Sequence, residues 1–207
     1  TSNVATFSTH YHNLVTVHAA MILALSSGYR PVTGWLGKIT DINLASGQFW
    51  ISDKENLVGD ASRVIVLPAV ARDCLKQYLV YLNKADFYFR NTQRELHQRY
   101  QDAASGLEHL FFFRSETDWQ EVTPKTMAPI FDPIFPLQPN WHRHHIRTML
   151  FQANIHSDLI AAWMGHAEVG EVSFAQYSSL SVSQLNQIAD AIEQHLELLE
   201  IKAVSYV

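Results

Sequence analysis

A shortage of cysteine sets the first limit on this chain. Its 207 residues include one, Cys74, so no internal disulfide can form, and a reducing, cytoplasmic setting is expected. Long hydrophobic runs are missing too. No stretch is apolar over the length that spans a bilayer, and no signal-peptide pattern opens the chain, so no membrane association is expected. Internal repeats and low-complexity tracts are absent, which argues against a solenoid or a disordered linker. Positive charge is scarce. With 15 Lys and Arg against 20 Asp and Glu the net charge is −5, whereas a simple nucleic-acid binder carries a basic surface. The deficit is uneven, however. Asp190, Glu193, Glu197 and Glu200, set against Lys202, place −3 of the −5 after Ser181. The remainder is near neutral, and contact with a polyanion needs a local cationic patch rather than a positive total. The chain begins at Thr1 and reads as a fragment of a longer protein.

What is present is an ordinary globular balance, 47% hydrophobic and 17% charged, long enough to bury a sizeable core. From Tyr11 to Leu25 apolar residues fall on nearly all sides, which reads as a buried helix stopped by Ser26-Ser27-Gly28. Trp35, Leu36 and Ile39 suggest a short helix after Pro31. Two β-rich segments follow, Gln48–Ser52 and Arg63–Leu67, joined by a polar turn with Asn56, Gly59 and Asp60. Pro68 ends the second and opens a helix from Ala69 to about Asn83. Arg90 to Ala103 reads as an exposed helix, and Leu110 to Phe113 as a short buried segment. Five prolines from Pro124 to Pro139 punctuate the next stretch, with Thr126–Phe131 a short helix among turns. Helices resume at Trp141–Asn154 and Asp158–Met164. The last begins near Ser181, where Ser181 and Gln184 match a capping box, and Leu185, Ile188, Ala189, Ile192, Leu196 and Leu199 give it one apolar stripe. The expected class is α+β, mainly α, with a small antiparallel sheet near the N-terminal part, in one domain spanning 1–207.

The residues richest in chemistry lie late in the chain. His144 and Arg147, three apart on a helix, project from one face. Arg147 offers a planar fork of donors suited to a phosphate, and His144 can donate beside it. His166 follows Trp163-Met164-Gly165, where a helix should end and a side chain can enter a cleft. Tyr177 supplies a hydroxyl that becomes a nucleophile when cationic neighbours favour the phenolate. Each residue alone has a plainer reading: Arg30 and Lys54 as surface cations, His166 at a helix C-terminus, Tyr177 as a core aromatic. The run His142-Arg143-His144-His145 also suggests a metal site. No carboxylate falls within it, and Arg143 and Arg147 would repel a cation.

Taken in order, His144-His145-Ile146-Arg147, then Met164-Gly165-His166, then Tyr177 resemble the tyrosine recombinases of the phage-integrase family. Ser27-Gly28-Tyr29-Arg30 answers that family's Thr-Gly-x-Arg-like turn after a buried helix. Asp53-Lys54-Glu55 and Arg63-Val64-Ile65-Val66-Leu67-Pro68 answer its hairpin lysine and the strand after it. The resemblance covers roughly Tyr11 to Leu199. It has no counterpart for the family's separate N-terminal DNA-clamping domain, and it makes 86–123 read as an insertion. It implies a recombinase catalytic-domain-like fold and a catalytic set of Arg30, Lys54, His144, Arg147, His166 and Tyr177. Tyr177 would cut double-stranded DNA through a 3′-phosphotyrosyl link, with Lys54 protonating the leaving oxygen and neither metal nor other cofactor required. A homo-oligomer on DNA, a tetramer in this family, is implied, with the helix from Ser181 docking in trans; the other reading of its stripe is core. Two alternatives stay open: an inactive DNA-binding relative, and a metal-dependent hydrolase built on His142, His144 and His145.

Overall fold

In the first helix, α1 (Thr9–Ser27), apolar residues recur too densely to leave a polar face, so most of its length is buried. Ser8 accepts the Tyr11 N–H at its start, and Gly28 ends it in the left-handed conformation, φ +61°. The computed structural model describes residues 6–31, 35–52, 62–116, 118–131, 138, 140–165 and 180–207. The short helix expected from Trp35 to Ile39 is instead one 3-10 turn, Ile39–Asp41. Leu36 and Gly37 both sit at φ +69°, which no right-handed helix can contain.

Strands β1 (Gln48–Ile51) and β2 (Arg63–Val66) pair antiparallel, with Gln48 opposite Val66 and Ile51 opposite Arg63. Alternation sends Phe49, Ile51 and Ile65 into the core and leaves Trp50 and Val64 outside. Pro68 then opens α2 (Ala69–Phe89), longer than expected. After it comes α3 (Arg94–Ser105). The expected exposed helix is a half-buried one: Leu96, Arg99, Tyr100 and Ala103 recur at helical spacing and form its inner face, although two of the four are polar. A second antiparallel ribbon, β3 (Phe112–Arg114) with β4 (Trp119–Glu121), replaces the simple buried segment expected there. There are thus two small sheets among the described residues rather than one. The segment 86–123 packs its inner face onto α1 and α2 in the shared core.

Helices complete the chain: α4 (Pro124–Phe131), α5 (Trp141–Gln152), α6 (Ser157–Met164) and α7 (Val182–Leu198). The expected capping box opens α7, with Ser181 Oγ accepting the Gln184 N–H at 3.3 Å and Gln184 Oε1 accepting the Ser181 N–H at 2.9 Å. Five of its stripe residues, Leu185, Ile188, Ala189, Ile192 and Leu196, are buried against α5, α6, α2 and β2 of the same chain; Leu199 is exposed. Glu193 accepts the Val70 N–H with both carboxylate oxygens, at 3.0 and 3.2 Å, so one of the tail's acidic residues stabilises the start of α2. Beyond α7 the chain returns to α1. Tyr206 is 4% exposed; its hydroxyl reaches His18 Nδ1 at 2.7 Å and Cys74 Sγ at 3.1 Å. The architecture is α+β and mainly α, and no described helix is long and apolar enough to cross a membrane.

Candidate active site

Helix α5 presents the site because its polar residues fall on two different faces. Ile146, Met149 and Leu150 anchor it in the core, and His144 and Arg147, one turn apart, stay exposed. Asn140, in the left-handed conformation at φ +66°, sets the start of the helix after the proline-rich stretch. Arg30 reaches the same place from the end of α1. Together Arg30, Pro31, Asn140, Arg143, His144, Arg147 and Met164 line a cavity of about 380 Å³. Among these described lining residues are three guanidinium groups and one imidazole, and no carboxylate. The cavity also reaches the N-terminal end of α5, where the helix dipole favours negative charge. Such a lining suits a phosphate: fixed donors, fixed positive charge, and no competing anion.

The fold thus brings Arg30, His144 and Arg147 onto one cavity. Lys54, His166 and Tyr177 lie outside the described residues. Lys38 donates from Nζ to the Leu107 carbonyl at 2.6 Å beyond α3 and does not line the cavity.

The histidine run on α5 does not converge. His142 is buried and donates from Nε2 to the Tyr29 carbonyl at 2.7 Å. Burial pushes its pKa down to about 4, assisted by Arg143 and His144 and opposed by that hydrogen bond. His145 faces α7, with its Nε2 2.9 Å from Nε2 of His195; burial and then His195 lower its pKa. His144 lines the cavity alone. Positions 142, 144 and 145 point three ways because a helix turns about 100° per residue. Among the described residues no three His, Cys, Asp or Glu side chains gather where they could hold a metal ion.

Two arginines behind the cavity were not legible as site residues in the sequence. Arg143 is 6% exposed; its two terminal nitrogens donate to the carbonyls of Gly28 and Met164, the latter at 2.8 Å. Arg63, read only as the start of a strand, donates from Nε to the Trp163 carbonyl at 2.8 Å and from Nη2 to the Gly28 carbonyl at 3.4 Å. No spacing rule announces a cation whose partners are main-chain carbonyls of two distant helices. The only advance signal was the pair of glycines, Gly28 and Gly165, placed where α1 and α6 stop.

Compared with known proteins, the chain matches no family model, no curated protein and no solved structure.

Proposed function

We propose that this chain is the catalytic domain of a tyrosine-type site-specific recombinase, which breaks and rejoins double-stranded DNA through a 3′-phosphotyrosyl intermediate. One observation carries the reading. Arg30 and the His144–Arg147 pair, far apart in sequence and singled out by the resemblance, line one cavity whose described lining residues include no carboxylate.

In this reading Arg30 and Arg147 hold the nonbridging oxygens of the scissile phosphate, with His144 donating beside them. They stabilise the charge that builds on those oxygens in the transition state. The Tyr177 oxygen attacks phosphorus as its proton passes to His144, and His166 hydrogen-bonds the same phosphate. The bond from phosphorus to the 5′-oxygen breaks, and Lys54 gives that oxygen its proton. The phosphotyrosyl ester keeps the energy of the phosphodiester, so a 5′-hydroxyl from another strand reseals the DNA without ATP. Assembly of protomers on DNA belongs to the same reading. The stripe of α7 is occupied within its own chain, which leaves its exposed end, Leu198 and Leu199, for contact in trans.

Covalent trapping tests the proposal. A library of nicked duplexes of randomised sequence is incubated with the chain in excess EDTA, denatured, and the DNA still attached to protein is recovered. Wild type should yield an adduct of defined sequence, and Tyr177→Phe should yield none while retaining duplex in a gel shift. Duplex binding without any adduct would make the chain an inactive relative. An adduct or cleavage that disappears with EDTA and returns with a divalent ion would favour the metal hydrolase.

A further inference from the structure

Three arginines meet at the ends of two helices. Helix α1 stops at Gly28 and α6 at Gly165, both left-handed, at φ +61° and +65°. Both turns are closely packed: a Cβ on Gly28 would stand 3.0 Å from Met164 Sδ, and one on Gly165 would stand 2.9 Å from the Arg63 guanidinium. Arg143 takes one carbonyl from each end, Gly28 and Met164. Arg63 does the same with Gly28 and Trp163. Arg30 adds a third link, donating from Nη2 to the Gly165 carbonyl at 3.1 Å. The last carbonyls of a helix lack intrahelical partners and carry partial negative charge, so a guanidinium is a favourable partner for them. Its planar fork also fixes the separation of the two carbonyls it bonds, which a lysine ammonium on a flexible stem does not.

Both turns lead directly into the proposed site. Arg30 is two residues past Gly28, and His166 follows Gly165. We propose that Arg63 and Arg143 are positioning residues: their forks clamp the α1 and α6 turns at a set spacing and thereby place Arg30 beside Arg147 on a shared phosphate. The inference rests on the reading of the cavity as a phosphate site. Arg63 is its sharper test, because Arg63 does not line the cavity and so does not touch an anion bound there.

The experiment measures the affinity of the full chain for inorganic phosphate by calorimetry, in a double-mutant cycle of Arg63→Ala with Arg30→Ala. Loss of one charge-assisted donor should weaken binding about tenfold or more in Arg30→Ala. Arg63→Ala should produce a loss of similar size, and in the Arg30→Ala background it should cost no more than about twofold further. Arg63→Lys, which keeps the charge and removes the fork, should show the same coupling with a smaller loss, and it serves if the alanine variant does not fold. In Arg143→Ala, added guanidinium should restore part of the affinity and methylammonium should not. Unchanged phosphate affinity in folded Arg63→Ala and Arg63→Lys would overturn the inference, as would an undiminished loss in the Arg30→Ala background. Absence of phosphate binding in wild type would be a different failure, removing the phosphate reading itself and this inference with it.

Discussion

Two pairs of arginines are tied into this fold, Arg63 half-buried and Arg143, Arg99 and Arg114 buried, and their surroundings differ. Arg63 and Arg143 are gripped by their edges, each fork spent on carbonyls at the ends of α1 and α6. Arg99 and Arg114 also donate to carbonyls, those of His109 at 2.7 Å and Phe7 at 2.9 Å, but they are covered on their faces as well. The Arg99 guanidinium lies 4.2 Å from the Phe112 ring centre and 4.6 Å from that of Trp119, and Arg114 lies 4.6 Å from that of Phe89. Around the second pair stands a buried network. His12 donates from Nε2 to the Phe112 carbonyl at 2.9 Å, and its Nδ1, which has one lone pair to accept with, lies 2.9 Å from the Tyr100 hydroxyl and 3.2 Å from that of Tyr81. Burial drives the His12 pKa down to about 3, and Arg114 and Arg99 push the same way against its bond to Phe112. The lesson is about what surrounds a cation. Covered on its faces by rings, it becomes part of the core. Held by its edge against helix ends, as Arg143 is, it can still line a cavity.

The contrast can be broken at its aromatic end. Phe112→Ala removes the ring that stacks on Arg99 and packs against Tyr100 and His12. It should cost about 3–5 kcal/mol of stability in urea unfolding, as large-to-small changes in a packed core do. Phosphate affinity of the folded fraction should stay as in wild type. A matching loss of both would mean that the two regions are one unit. At the cavity the signature should be reversed. Arg147→Ala should slow adduct formation on the order of 10²–10³-fold, as loss of a single charge-stabilising donor does. Because Arg147 is exposed, its melting temperature should barely move.

Acid offers a gentler probe that touches both regions. His12 in the aromatic network and His142 behind the cavity are held neutral, with pKa values near 3 and 4 against the ordinary 6.5. Their pKa values are depressed in the folded state, so the unfolded chain binds more protons as pH falls below about 6.5, and stability is lost in that direction. Each group contributes a slope of about 1.4 kcal/mol per pH unit until its folded pKa is reached, and nothing above about 6.5. Melting temperatures measured from pH 7 down to pH 4 should fall in wild type. His142→Gln, which keeps a donor for the Tyr29 carbonyl, should flatten that fall, and so should His12→Gln. A wild-type profile with no slope between those limits would contradict the neutral state assigned to both histidines.

The helices were largely legible because their signals are local. Gly28 stops α1, Pro68 precedes α2, and Ser181 with Gln184 opens α7. The β1–β2 ribbon was readable from its β-rich composition and the polar turn between its strands. The middle of the chain was not, and the reason is visible in α3. Two of its four inward residues are Arg99 and Tyr100, which look like surface until the rings of Phe112, Trp119 and Phe89 are placed around them. The same blindness hid Arg143. Its neighbours His144 and Arg147 could be placed on one face from helical spacing, whereas its own partners lie at the ends of α1 and α6. Local periodicity identifies which residues share a face. It does not say what a buried charge will find there.

The docking of Tyr206 gives the chain a built-in clock. Cys74, its one thiol, is fully buried under that ring, and burial raises its pKa to about 11 despite the hydrogen bond to the Tyr206 hydroxyl. A thiol so shielded and so rarely ionised is inert to alkylating reagents until its cover lifts. The rate at which Cys74 takes up a label therefore counts openings of the C-terminal tail, one modification per exposure, with no fluorophore or added cysteine to disturb the measurement.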